Sequence, residues 1–305
     1  MHHFRSVPRL FIFLAALWFI CSPVKTEAAE DEYDPVLFPE NYQPGFLGNE
    51  LIPKNSQNSG AASNNIAILC PPGRGGIHLN DLALNYNSGS KNGIVGVGWS
   101  LELGAIQRST KHGVNYEADE FIVLKKGSKE LVARPDWGSG YYGAKIEEDF
   151  TQYRFSAANG WTAFSKDGTR YYYGRTSAAR QQNARGVFKW CLDRVVDSNG
   201  NTMTLTYIQD QGQVYPDSIS YAVNSVAFSY EDRADFSPDY VSNSPVVTTK
   251  RLKQIAVYAN GELARSYVLD YAYGESSGFS RLIRDQVCCQ FFYLILIKAM
   301  LGHLT

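Results

Sequence analysis

The side chains able to act on a substrate are few and scattered along the chain. His112, Glu117, Asp119 and Glu120 fall close together. An imidazole beside carboxylates is the donor set of an acid–base pair or of a divalent metal site. The cluster also borders the turn Lys111-His112-Gly113, where exposed carboxylates are the ordinary result of solvation. Dispersed acids such as Glu117 and Asp119 keep a hydrolase open, although no pair has a motif spacing. PPGRGG, residues 71–76, has the glycines of a phosphate cradle. It lacks the Lys-Ser/Thr ending and no helical pattern follows, so it reads as a rigid-then-flexible lead into a strand. Gly93, Gly96 and Gly98 likewise miss the dinucleotide-binding order. Asp197, Asn199 and Asn201 begin like a calcium loop, but Gly200 stands at the wrong place and Ile208 occupies the position of the bidentate Glu. No catalytic, cofactor-binding or metal-binding residue is nominated, and no cofactor is expected.

Five cysteines are spread as Cys21, Cys70, Cys191, Cys288 and Cys289, without a CxxC pair. A Cys70–Cys191 disulfide in an oxidising compartment and two separate buried thiols both fit this spacing. The formal net charge of −1 gives no electrostatic case for nucleic acid or an anionic membrane.

The elements that must position these residues are strands. The 305 residues include 20 Tyr and 26 Gly, which favour strands and tight turns over helices. The fold class expected is all-β, built of antiparallel hairpins in a meander. The central stretch runs from Ile77 to Leu103. There a strand ending at Tyr86 meets the turn clusters Asn87-Ser88-Gly89 and Lys91-Asn92-Gly93. Gly96 and Gly98 then lead to Trp99, expected to be the buried anchor of the returning strand. Phe121–Leu124 is a further apolar strand. Tyr153–Phe155, Trp161–Ser165 and Thr169–Tyr173 form a meander with turns at Ala158-Asn159-Gly160 and Lys166-Asp167-Gly168. Ser165–Thr169 superficially resembles a sialidase Asp-box, but the spacing is one short and the hairpin accounts for it. Trp190, Leu192 and Val195 precede the turn Asp197–Asn201, after which Met203, Leu205 and Tyr207 alternate with threonines. Hairpins around Val214–Tyr230 and Arg251–Tyr273 follow, the second turning at Asn260-Gly261. Tyr267–Tyr273 is expected to be an open edge strand.

Domain organisation follows from composition. Residues 1–28 have the order of a secretory signal peptide: Arg5 and Arg9, the apolar run Leu10–Ile20, then small residues ending at Ala28 and Ala29. The run is shorter than the about 20 residues of a membrane span. No span is therefore expected after cleavage, and an uncleaved surface anchor is the alternative. Residues 29–65 read as a flexible polar linker, 66–285 as the β domain and 286–305 as a divergent apolar tail containing Phe291–Ile297.

Three blocks carry a resemblance. Pro72–Gly76 with Leu84–Leu101, then Trp161–Gly174 around Asp167 and Gly168, and then Trp190–Tyr207 with Asn199, Gly200 and Asn201 resemble the SpvB/TcaC N-terminal family. Those are secreted bacterial virulence and toxin components of the Rhs/YD-repeat type. The resemblance implies a non-catalytic part of a hollow β shell that encloses a toxic C-terminal domain. It implies partners within a toxin complex: a pore or translocation subunit, and a Rhs-type C-terminal shell with its payload. The family's ADP-ribosyltransferase pair has no counterpart beyond Glu30-x-Glu32 beside the leader. The apolar tail departs from the family pattern and is expected to mark a truncated or frameshifted reading frame. A surface carbohydrate-binding module, using exposed Tyr and Trp faces, is the alternative reading.

Overall fold

A computed structural model describes residues 54–55, 60–75, 77, 79, 81–125 and 127–289. The expected signal peptide, most of the expected linker and Phe291–Ile297 lie outside the described residues. Within them the chain is β throughout, with one 3-10 turn at Ser177–Ala179 and no α-helix. Strands β1 (Lys54–Asn55), β2 (Ala62–Ala67) and β3 (Ala83–Asn87) come first. The short hairpin of β4 (Asn92–Gly93) and β5 (Gly96–Val97) leads to β6 (Trp99–Leu101). An outer sheet then has the order β1-β2-β3-β6, with Tyr86 opposite Trp99 and Leu84 opposite Leu101.

The next segment closes on itself. Strands β7 (Ala105–Arg108), β8 (Phe121–Leu124), β9 (Ser128–Ala133), β10 (Tyr141–Ala144), β11 (Gln152–Ser156), β12 (Gly160–Phe164) and β13 (Arg170–Tyr173) pair consecutively and antiparallel. After β14 (Arg180–Asn183), the long β15 (Gly186–Val196) pairs β7 through Lys189–Cys191 and β13 through Leu192–Val196. The result is a closed eight-stranded barrel of β7 to β13 and β15. A small barrel has room inside for side chains only, and here they are aromatic. The Trp161 ring lies 4.8 Å from Phe121, 5.0 Å from Phe155 and 5.1 Å from Tyr142, centroid to centroid. Trp190 sits 5.6 Å from Phe155 and 6.2 Å from Trp161. Edge-on and tilted contacts let the positive ring edges meet negative faces. The Trp161 indole N–H has no hydrogen-bond partner, so this ring is held by packing alone.

A meander continues from β15 as β16 (Thr202–Asp210), β17 (Gln213–Tyr221) and β18 (Asn224–Asp232). An excursion carrying β19 (Pro238–Asp239) and β20 (Val246–Val247) precedes β21 (Lys250–Ala259), β22 (Glu262–Tyr273) and β23 (Ser280–Cys289). The period-two pattern sorts the faces: Leu205 and Tyr207 are buried while Thr204 and Thr206 are exposed. Asn260 and Gly261 both have positive φ, 52° and 83°, as the two-residue turn between β21 and β22 requires.

Four expectations change. The polar run Ser63–Asn65 belongs to β2, paired with Asn85–Asn87, rather than to a flexible linker. Its backbone hydrogen bonds, not its side chains, give it order. Trp99 is half-buried against Tyr86 at 5.2 Å, whereas the fully enclosed indole is Trp161 at 0% exposure. Tyr267–Tyr273 is no edge, since β22 lies between β21 and β23. Strand β23 also runs through Asp285, so a boundary at 285/286 would cut a strand.

Trp161→Ala should therefore lower unfolding free energy by about 3–5 kcal/mol. Trp99→Ala, losing a ring already half in water, should cost clearly less. Denaturant midpoints of the two variants, measured together, check that order.

Candidate functional site

The Gly-rich hairpin of β4 and β5 docks on the far end of the meander. Gly96 has φ +89°, and a Cβ there would stand 2.6 Å from the Ser280 carbonyl oxygen at the start of β23. Only glycine lets these backbones meet. Gly98 faces the Tyr86 ring, and Gly93 lies against the Trp99 carbonyl. Between them Val95 is fully buried, and the Ile94 carbonyl accepts the Leu252 N–H at 2.7 Å.

Under this hairpin lies an ion pair that no sequence motif announces. The Arg233 and Asp235 side chains are 1% and 4% exposed. Arg233 Nε donates to Asp235 Oδ1 at 2.9 Å and Nη2 to Oδ2 at 2.6 Å, a two-pronged match of guanidinium to carboxylate. Arg233 also donates to the Gly93 carbonyl at 2.6 Å and to Asn92 Oδ1 at 2.5 Å. Asp235 accepts from Asn92 Nδ2 at 2.9 Å, from the Ser280 N–H at 2.5 Å and from Ser280 Oγ at 2.8 Å. Arg251 Nη1 donates to Ser280 Oγ at 2.8 Å. Buried charges need this degree of pairing to offset desolvation. Burial by itself would raise the Asp235 carboxyl. The Arg233, Ser280 and Asn92 hydrogen bonds outweigh it and hold the group well below the usual carboxylate range.

A second junction pins the PPGRGG run. Tyr221 Oη donates to the Pro71 carbonyl at 2.8 Å, and Asn224 Nδ2 to the Pro72 carbonyl at 3.1 Å. Gly75 packs against the Asp197 turn, close to Asp197 and Asn201. Asp197 Oδ1 accepts the N–H groups of Asn199 and Asn201 at 2.9 and 2.8 Å, and Oδ2 accepts Asn201 Nδ2 at 2.8 Å. Its carboxylate thus organises its own turn, with Gly200 at φ +84° completing it. Asp167 does the same for the β12–β13 turn by accepting the Thr169 N–H at 2.9 Å. Gly168 brings that turn against Ser198 of the other.

Cys70 and Cys191 are free thiols, not a disulfide. Cys70 sits beside Tyr221, and burial pushes it up to about 11. Cys191 lies on β15 near Tyr207, raised by burial as well. Neither is poised as a thiolate. The acidic cluster is brought together only in part, without Glu117. His112, Asp119 and Glu120 border a shallow hollow of about 380 Å³ with Glu130, which is bound by Lys111 and Lys145 at 3.1 and 2.6 Å. Burial, with Asp119 alongside, pushes Tyr142 up to about 12. Among the described residues no three His, Cys, Asp or Glu side chains group as metal ligands.

Comparison with known proteins then places the fold. The family profile described as Salmonella virulence plasmid 65kDa B protein matches residues 56–277. The chain belongs to the SpvB family. The mono(ADP-ribosyl)transferase SpvB of Salmonella choleraesuis (strain SC-B67) is 28% identical over 160 residues, 43% of this chain and 27% of that protein. The SpvB of Salmonella typhimurium (strain 14028s) is 27% identical over the same shares. The chain thus matches about a quarter of the length of these curated relatives. The N-terminal domain of effector protein SpvB from Salmonella typhimurium strain LT2 superposes with a TM-score of 0.61 at 18% identity, covering 73% of this chain and 99% of that domain. The TcdB2-TccC3 structure superposes at 0.64 and 18% identity, covering 77% of this chain and 16% of that one. The Tc holotoxin pore of Photorhabdus luminescens gives 0.64 at 19%, covering 77% and 15%. At such identity the shared property is the fold: that of the SpvB N-terminal domain, found also within the Tc toxin. The barrel, the docked Gly-rich hairpin and the meander are that fold in this SpvB-family chain.

Asp235→Asn leaves Arg233 buried without a counter-charge and should cost about 3–5 kcal/mol. The folded carboxyl titrates below the unfolded one, so its stabilisation is complete above about pH 4 and is lost as pH falls through the folded value. Urea unfolding across acidic pH should show a steeper loss for the wild type than for Asp235→Asn.

Proposed function

We propose that this chain is an exported, non-catalytic β scaffold that forms part of a toxin shell. The observation carrying the reading is the match to the whole SpvB N-terminal domain and to a portion of TcdB2-TccC3. In this role the barrel and meander are wall, and the enclosed cargo is a toxic C-terminal domain. The partners are the remaining Rhs-type shell with its payload and a pore or translocation subunit. Export is through the leader, 1–28, with an uncleaved surface anchor as the alternative. No helix among the described residues is long and apolar enough to cross a membrane.

The sheet supports a continuing wall. Among the described strands β23 pairs β22 alone, and it exposes Ile283 at 62% and Val287 at 48%. A strand paired along one edge only, with exposed apolar side chains, is a template for another strand. In a shell, that neighbour is the next part of the wall.

The purified chain should show β-type circular dichroism and sediment as oligomers, and Ile283→Lys with Val287→Lys should shift it towards monomer. It should transfer no ADP-ribose from NAD to proteins of a host-cell lysate. A wild-type chain that stays a stable monomer would remove the case for a covered edge, and NAD-dependent labelling would remove the non-catalytic reading. Sequencing the exported chain should find a mature N-terminus at Ala29 or Glu30, and an intact Met1 would refute cleavage.

A further inference from the structure

Beside the Arg233–Asp235 knot, the Gly-rich hairpin, the excursion after β18 and the barrel wall leave a cleft of about 680 Å³. Its floor is a row across three strands. Gln181 on β14, Lys189 on β15 and Gln107 on β7 are direct cross-strand partners. Their side chains therefore leave the same face side by side, roughly 4.8 Å apart. Lys189 and Gln107 are half-buried, and among the described residues neither head group has a hydrogen-bond or ion-pair partner. Gln181 uses its amide nitrogen on the Gly212 carbonyl at 3.1 Å, which leaves its amide oxygen as an acceptor not used in that bond. Phe236, Tyr240 and Phe279 stand on the rim at 52%, 62% and 41% exposure.

These features are costly in isolation and complementary to one kind of ligand. A half-buried ammonium without a counter-charge gains from an incoming anion. The flanking amides offer both donors and acceptors, which is what hydroxyls beside that anion need. Exposed rings at the mouth take the apolar face of a flat or chair-shaped ring. The other cations of the cleft are already paired, Lys91 with Asp239 at 3.4 Å and Arg233 with Asp235 at 2.6 Å. One anionic group is thus accommodated rather than a run of phosphates. A carboxylate, neighbouring hydroxyls and an apolar ring face occur together in acidic sugars.

We propose that this cleft binds acidic saccharides, with the pyranose carboxylate on Lys189, hydroxyls on Gln107 and Gln181, and the ring face against Tyr240 or Phe236. This is a recognition role added to the scaffold role and it does not depend on it.

Saturation-transfer NMR on the purified full chain tests it with sialyllactose, a glucuronic-acid disaccharide and neutral lactose. Both acidic sugars should bind, at least about tenfold more tightly than lactose. Lys189→Gln should weaken the acidic sugars by about tenfold or more and leave lactose unchanged. Tyr240→Ala, at an exposed rim position, should weaken all binding and keeps the test decisive if Lys189→Gln does not fold. Absence of binding by both acidic sugars, equal binding of acidic and neutral sugars, or affinities unmoved by both substitutions would overturn the proposal. Equally tight binding of a short polyglutamate peptide would assign the cleft to acidic peptides and overturn it too.

Discussion

The two edges of β15 are the constraint on which the rest of the molecule depends. Along one edge its backbone pairs β14 and then β13; along the other it pairs β7 and then β16. One strand thereby closes the barrel and begins the meander. The barrel needs no free edge where it closes, and the meander inherits its twist from a strand already fixed. The handover requires slack in the ladder. It is found as a register shift at Tyr172/Tyr173, beside the point where β15 passes from β14 to β13, and a second shift at Gln181/Gln182 lies within the β14–β15 ladder. Trp190 sits on the same strand and packs into the barrel beside Phe155 and Trp161, so closure of the backbone ring and filling of its interior are coupled.

The ionic knot solves a different problem. Strand pairing does not fix the Gly-rich hairpin on the meander, because among the described strands β4 and β5 pair only with each other and a single backbone hydrogen bond, Leu252 N–H to the Ile94 carbonyl, crosses to β21. Arg233 reaches Asn92 across a separation of 141 residues, and Asp235 reaches Ser280 across 45. A purely apolar contact would tolerate sliding. Directional hydrogen bonds to a guanidinium and a carboxylate set one position, at the cost of desolvating both charges. Gly96 is part of the same device, since any Cβ would hold the hairpin off Ser280.

Local patterns made most of the strands readable. Asn-Gly and Asp-Gly turns, alternating threonines and the Tyr stripe each depend on neighbours a few residues away, and most hairpins stand where those signals put them; the exception is Lys91-Asn92-Gly93, expected as a turn, where Asn92–Gly93 is strand β4 and the chain turns at Ile94-Val95. Barrel closure was not readable, because the pairing of Tyr173 with Leu192 leaves no periodic trace in either segment. The same holds for β2, whose polar residues look like linker until β3 supplies hydrogen bonds. Trp99 and Trp161 both follow glycine before a strand, and only three-dimensional enclosure separates a half-covered ring from a buried one. Arg233, Asp235, Gln107 and Lys189 were missed for a related reason. Each is an ordinary polar residue whose surroundings are set by segments distant in the sequence.

Four carboxylates of this chain are occupied in holding its own backbone. Asp197 and Asp167 accept backbone N–H groups of their own turns, and Asp235 is enclosed by Arg233, Asn92 and Ser280. Asp193, raised by burial, accepts the N–H groups of Arg175 and Thr176 at 2.7 and 3.0 Å. Its remaining oxygen is buried without a partner. A general acid or base must present a lone pair or proton to a substrate, and Asp167, Asp197 and Asp235 present theirs to the chain itself, as does one oxygen of Asp193. Such roles depend on backbone geometry, which a ladder of strands preserves through wide side-chain change. A cleft row such as Gln107, Lys189 and Gln181 is under no such constraint, so side chains there can change while the fold stays the same.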